Sequence, residues 1–335
     1  MFELPLDFRR WPPLASARKS FVAHTQSPSR YPAEIAAPLK WLLFHRIIAS
    51  AMISCRIQPS CRNAGCADAK PTSNPNGVVM PIDLAMDGNV AIITINRPEK
   101  KNALTLDMRM EVQAVFQRVQ DDPEVRAIIF TGAGDDFSAG SDVSEMGTGG
   151  VPGSLLKMRL LHRMLRGVSH TNKPVIAAVK GVCIGMSWSM ALACDFIVAA
   201  EDARFQFAFR HIGLAPDGGA SFLLSRYVSI QRAKEIIYSG RFVSGREAAD
   251  LGLALEALPA NRVMERALEM ARNYAAAPTV ALQMMKRQFD ASAAQNLDQA
   301  LDFEANIQPL MVQTEDFREG TTSFKEKRKP IFKGA

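Results

Sequence analysis

From Ile82 onward, apolar positions alternate first and then recur every three or four residues. Ile82 to Met86 and Val90 to Ile95 alternate around Asp87-Gly88, which predicts a hairpin with that pair as its turn. Thr105 opens a helical pattern with Leu106, Met110, Val112, Val115, Phe116 and Val119 on its apolar side. Val125 to Thr131 reads as a buried strand ending at Gly132. Gly153 to His170 reads as a helix with Leu155, Leu156, Met158, Leu161, Leu165 and Val168 recurring in phase. Pro174 to Val179 predicts a second buried strand, Met186 to Ala193 a helix, and Phe196 to Ala199 a strand. After Pro216 helices dominate, and from Thr279 no strand is predicted. Residues 1–79 show no period of either kind and hold nine of the 19 prolines, so no packed element is predicted there.

The alternation implies an α/β fold in three parts: a low-order leader over 1–79, a strand-and-helix core over 80–278, and a helical region over 279–335. A chain of 335 residues can bury a large core. The net charge of +6 lies wholly in the leader, which has ten Lys/Arg against four Asp/Glu, so the core and tail are neutral. That balance argues against a nucleic-acid partner for the core. The apolar run Trp41 to Ile53 is broken by His45 and Arg46 and is shorter than the roughly 20 residues of a membrane span.

The leader reads as a disordered extension, an organelle-targeting segment or an upstream start-site artefact. Met80 is favoured as the functional start. A cytoplasmic protein is expected, or a mitochondrial or peroxisomal one if the leader targets. Cys55, Cys61 and Cys66 lack zinc spacing, and Cys183 and Cys194 lie in apolar runs as core residues. No metal site is expected.

Two glycine-bearing loops carry the candidate chemistry. One is Phe137-Ser138-Ala139-Gly140-Ser141-Asp142; the other runs from Gly181 through Val182-Cys183-Ile184-Gly185-Met186-Ser187. Each follows a β-prone run and leads into a helical pattern. Free backbone N–H groups at such positions, converging on one point, would form an oxyanion hole.

These loops, with Ile95-Asn96-Arg97-Pro98, Asn102-Ala103-Leu104, Ala200 to Phe205 and Phe324 to Gly334, resemble the enoyl-CoA hydratase/isomerase (crotonase) family, in particular its Δ3,Δ2-enoyl-CoA isomerase-like members. The resemblance runs from about Met80 to the C-terminus. It implies a ββα spiral core with a C-terminal helical trimerisation region, and a homotrimer or dimer of trimers. It implies an acyl-CoA thioester substrate, with coenzyme A as part of that substrate and no other cofactor. It places the oxyanion donors at the N–H groups of Ser141 and Met186, beside Gly185. It assigns substrate contacts to Asn102, Ala103, Leu104, Ala139, Gly140, Asp142 and Phe209, and to Phe324 and Lys327 of the tail. Ser144 stands where the family often has a lysine.

Hydratases of the family use two glutamates, and both positions are changed here, to Ser189 and Phe209. Neither can do acid/base work on water near neutral pH. Phe207, Phe209 and Trp188 suggest an aromatic pocket instead. Asp217, in Pro216-Asp217-Gly218-Gly219, matches the position of the isomerases' catalytic acid; read alone, it is an N-cap after proline. The expected reaction is Δ3–Δ2 isomerisation with Asp217 as acid and base. The alternatives are a hydratase or hydrolase using Asp217, and a non-catalytic CoA-binding homologue. A dehalogenase would need tryptophans at Leu161 and Phe209. His162, His170 and His211 are expected to be structural.

Overall fold

The computed structural model describes residues 81–335, all within the unit Asp68–Ala335 of a chain that divides after Ala67. The expectations for the leader, its three cysteines, the run Trp41 to Ile53 and the start at Met80 lie outside the described residues.

Strands β1 (Ile82–Asp87) and β2 (Val90–Ile95) pair antiparallel with Asp87 opposite Val90. The turn is therefore Gly88-Asn89, one residue later than the pattern suggested. Gly88 takes a positive φ of 58°, which a two-residue hairpin turn demands. Helix α1 (Leu106–Asp121) is capped by the Thr105 side chain, which accepts the Met108 N–H. Its buried stripe is Met108, Arg109, Val112, Val115, Phe116 and Val119. Met110 is 46% exposed, so the apolar face is rotated from the predicted one and includes a charge.

Strand β3 (Ala127–Gly132) is buried along its whole length, as is β4 (Val175–Val179). Such uninterrupted apolar runs suit parallel strands covered on both faces. Helix α2 (Gly150–Ser169) precedes β4; only its second half is buried, and Leu155 and Leu156 stay exposed. Then follow β5 (Val182–Ile184), α3 (Met186–Leu192), β6 (Phe196–Ala200), β7 (Arg204–Gln206) and a 3₁₀ turn, Phe209–Ile212. Beyond them lie α4 (Ala220–Tyr227), α5 (Ile230–Ser239), β8 (Phe242–Ser244), α6 (Gly245–Asp250), β9 (Glu256–Leu258) and α7 (Val263–Ala275). The short strands β8 and β9 fall in the stretch after Pro216 where helices are expected to dominate. Three residues carry too little periodicity to be recognised.

The strands form two sheets. The larger has the order β1-β2-β3-β4-β6-β9, parallel except for its first pair. The smaller has the order β5-β7-β8. After β4 the chain enters the small sheet at β5 and then forms α3; after β6 it enters at β7. The repeating unit is thus strand, strand, helix. Two isolated parallel bridges, Ser138 to Cys183 and Leu104 to Ser141, continue the small sheet across the first glycine loop. Cys183 and Cys194 are buried, as expected, and burial raises both thiols' pKa.

The tail carries three helices and no strand, α8 (Thr279–Ser292), α9 (Leu297–Met311) and α10 (Glu315–Glu326), followed by a non-helical end over 327–335. It buries little: α9 has no buried residue. Arg126 anchors the tail by donating to Thr279 Oγ1 and to the carbonyls of Ala277 and Phe332.

Candidate active site

The first loop is held by its polar groups. Ser138 N–H donates to Val182 O, and Ser138 O accepts from Ile184 N–H. Ser138 Oγ donates to Asn102 O at 2.7 Å and accepts from Gly140 N–H and Ser187 Oγ. One buried hydroxyl thereby joins three segments. Asn102 is itself buried at φ 56°. Its side chain accepts the Arg97 N–H and donates to Ala133 O and Asp136 O. The structure commits the Asn102 side chain to bracing this turn.

Gly140 lies where only glycine fits. Its φ is 93°, and a β-carbon there would stand 2.6 Å from Ile184 O and 4.0 Å from Met186 N. The two loops therefore meet backbone to backbone. Leu104 N–H donates to Gly140 O, and Asp142 N–H donates to Leu104 O. In that parallel bridge the N–H of the intervening Ser141 points away from Leu104. The second loop turns at Gly185, with φ 58° and ψ −124°, and Met186 opens α3. The first N–H groups of a helix have no partner within it. Ser141 Oγ lies 3.1 Å from Met186 Sδ. The predicted donor residues Ser141 and Met186 are thus adjacent, with Gly140 and Gly185 forming the turns that bring them together.

The other predicted contacts are distributed around this pair. Ala139 N–H donates to Lys101 O, Ala103 O accepts from Arg97, and Leu104 is buried. Asp142 receives Arg97 at 2.6 Å and both the N–H and hydroxyl of Ser144. The Arg97 hydrogen bond, with help from Ser144, holds its carboxyl well below the usual carboxylate range.

Asp217 does not cap a helix. The N-cap of α4 is Gly219, and no side chain caps it. Asp217 is half-buried, and its Oδ1 is buried without a hydrogen-bond partner. Burial raises its pKa above the ordinary carboxylate value, while the positive charges of Arg109 and His162 pull it part-way back. Ser189 lies against the following residue, Gly218: a β-carbon there would stand 3.3 Å from Ser189 Oγ and 3.5 Å from Leu165 Cδ1.

The expected aromatic wall is instead a core stack. Trp188 packs on Phe207 at 4.4 Å and on Phe205 at 5.4 Å, and all three are fully buried. Phe209, stacked on Phe207 at 5.7 Å, keeps 6% exposure. Phe324 is 83% exposed and lines a groove with Pro278, Met311, Phe317 and Phe332 that contains no residue of either loop. Lys327 ends α10 at φ 55° and is exposed. Within one chain these two tail residues are not gathered with the loops.

A model of the enoyl-CoA hydratase/isomerase family matches residues 85–335. The chain belongs to that family. Among its relatives in the family is the 1,2-epoxyphenylacetyl-CoA isomerase of Escherichia coli, 32% identical over 253 residues, which are 74% of this chain and 97% of the relative. Another is the short-chain-enoyl-CoA hydratase of Clostridium acetobutylicum, 34% identical, covering 73% and 95%. The crystal structure of an enoyl-CoA hydratase from Bacillus anthracis superposes with a TM-score of 0.74 at 30% identity, covering 76% of this chain and all of that one. The strand-strand-helix core and helical tail are the crotonase fold of this enoyl-CoA hydratase/isomerase family.

Sequence reasoning missed Ser138, Ser187 and Arg109. Arg109 is 4% exposed, its Nε has no hydrogen-bond partner, and its Nη2 donates to Leu104 O at 3.5 Å. Its charged neighbours are Glu145 and Asp217. The available signal was a charge in phase with Val112 and Phe116 on the buried side of α1. The serines left no such signal: Ser138 lies in a short loop, and Ser187 is a small residue in the first turn of a wholly buried helix.

Proposed function

We propose that this family member shifts the double bond of a 3-enoyl-CoA thioester to the 2-position, with Asp217 as its one acid and base. The observation that carries this reading is the Asp217 carboxyl, raised in pKa by burial, with Oδ1 unpartnered and Ser189 beside it where a second acid would stand. Nearby Glu145 accepts the Leu106 N–H and is engaged with α1.

Asp217 takes a proton from C2 of the acyl chain. The electron pair of that C–H bond moves toward the thioester carbonyl, whose oxygen becomes anionic. The N–H groups of Ser141 and Met186 hold this dienolate oxygen. The electrons then return through C2 and C3, the new double bond forms between them, and Asp217 delivers its proton to C4. The cycle is balanced and draws on no redox group or metal. Asn102 to Leu104 and Ala139 to Asp142 would lie along the CoA end, and Phe209 near the acyl group. Phe324 and Lys327 would reach the CoA of a neighbouring subunit in a trimer or dimer of trimers. Among the described residues no helix is long and apolar enough to cross a membrane.

The hydratase names among the relatives keep water addition as the second reading. Assaying the purified protein separately on 3-enoyl-CoA and 2-enoyl-CoA decides between them. Conversion of the 3-enoyl substrate supports isomerisation; hydration of the 2-enoyl substrate without it contradicts the proposal.

A further inference from the structure

Ser189 stands between the two halves of the site. It lies three residues after Met186 in α3, so the two side chains share a face of the helix. Met186 Sδ touches Ser141 Oγ on one side of this face. On the other, Ser189 Oγ lies against the Gly218 turn, adjoining Asp217. The order along the face is oxyanion donors, Ser189, acid.

The Ser189 hydroxyl is completely buried and has no hydrogen-bond partner in the protein. A serine in a helix ordinarily bonds a carbonyl one turn back. Here Gly185 O already accepts the N–H groups of Trp188 and Ser189, and the hydroxyl has not joined them. Alanine would fill the same space without the desolvation penalty of an unpaired hydroxyl. The hydroxyl is left with an unmet hydrogen bond beside the proposed reacting groups. What lies between a thioester carbonyl at Ser141 and a proton transfer at Asp217 is the first few carbons of the acyl chain.

We infer that Ser189 is a specificity-determining donor that hydrogen-bonds an oxygen carried by the acyl chain beside the reacting carbons, selecting oxygenated acyl-CoA thioesters (hydroxy, oxo or epoxy) over plain hydrocarbon ones. The inference rests on the proposed placement of the acyl group between the hole and Asp217. A neutral hydroxyl suits this position, because a second carboxylate there would raise the pKa of Asp217 further by repulsion. It also offers a buried site built to bond an oxygen, and such a site discriminates strongly against a ligand that lacks one.

The test is equilibrium binding of butyryl-CoA and 3-hydroxybutyryl-CoA to the wild type and to Ser189→Ala. Neither ligand has a double bond to shift. The wild type is expected to bind the hydroxy compound about tenfold more tightly, the worth of one well-made hydrogen bond. Ser189→Ala should bind both at the butyryl-CoA level, with free CoA bound equally by the two proteins as the control for folding. Equal affinity of the wild type for the two ligands would overturn the inference. So would a preference that survives in Ser189→Ala, including an equal loss for both ligands as expected if the hydroxyl merely held a water. A preference without isomerase turnover would reject the proposed reaction and leave the role of Ser189 standing.

Discussion

Between Ser138 and Asp142 hydrogen bonds tie the loop into the protein and leave the Ser141 N–H pointing away from Leu104, whereas from Arg210 to Pro216 the chain runs exposed toward Asp217. On the oxyanion side, one serine links three segments and a glycine is hemmed in by Ile184 O. On the acid side, Gly213, Gly218 and Gly219 all take positive φ, and the Asp217 carboxyl has an unpartnered oxygen. The proposed oxyanion site is fixed by hydrogen bonds that belong to the fold. The acid is set by burial and by charges on neighbouring helices. Ser189 and Phe209, at the positions assigned to the hydratase glutamates, fit that division.

Asp217→Asn should have the largest effect. Turnover is expected to fall about 10³-fold, within the range of a lost general acid/base, while acyl-CoA binding is retained. Steady-state kinetics with a binding isotherm checks both. The same variant should melt at or above the wild-type temperature at neutral pH. A raised pKa means that the folded state holds the proton more tightly than the unfolded chain. The stability this contributes is present at low pH and lost as pH rises through the raised value. Ionising the buried Asp217 weighs against folding, and the amide removes that charge.

Gly140→Ala tests the other side. Its β-carbon would enter Ile184 O, and its φ disfavours any side chain. Displacing an oxyanion donor lowers kcat by about 10²-fold. The pH dependence of the residual activity should be unaltered, because the acid is untouched.

Ser138→Ala should act on stability first. It removes bonds to Asn102, Gly140 and Ser187 together. A loss of about 2–3 kcal/mol in urea denaturation is expected, as for buried groups left unpaired. An unchanged midpoint would show that the brace is redundant.

Arg109→Met gives the smallest and most specific effect. Asp217 must be ionised to take a proton, so the acid limb of kcat/KM lies above the ordinary carboxylate range. Removing the Arg109 charge should move that limb to still higher pH, and Arg109→Lys should leave it near the wild-type position. A limb that stays in place in Arg109→Met would separate Arg109 from the acid.

The same contrast decides what the sequence makes legible. The buried strands β3 and β4, the helices and the strand-free tail follow from runs and periods of apolar residues. The glycine loops stand out because positive φ leaves a glycine behind. Asp217 is recognisable as the remaining acid of its motif, but its unpartnered oxygen is a property of packing. Met110 was placed on the wrong face of α1 because a helix's phase is set by what it packs against. Ser138 joins segments distant in sequence, and no local pattern encodes that. The aromatic residues after Phe205 suggest a pocket in sequence, whereas the fold stacks most of them into the core.

The central claim is that one carboxyl moves one proton from C2 to C4. It is tested most directly with a 3-enoyl-CoA deuterated at C2, turned over in ordinary water and read by NMR. The account predicts a 2-enoyl product carrying part of the deuterium at C4, formed about 10³-fold more slowly by Asp217→Asn. Formation of the 2-enoyl product by Asp217→Asn at the wild-type rate would contradict it.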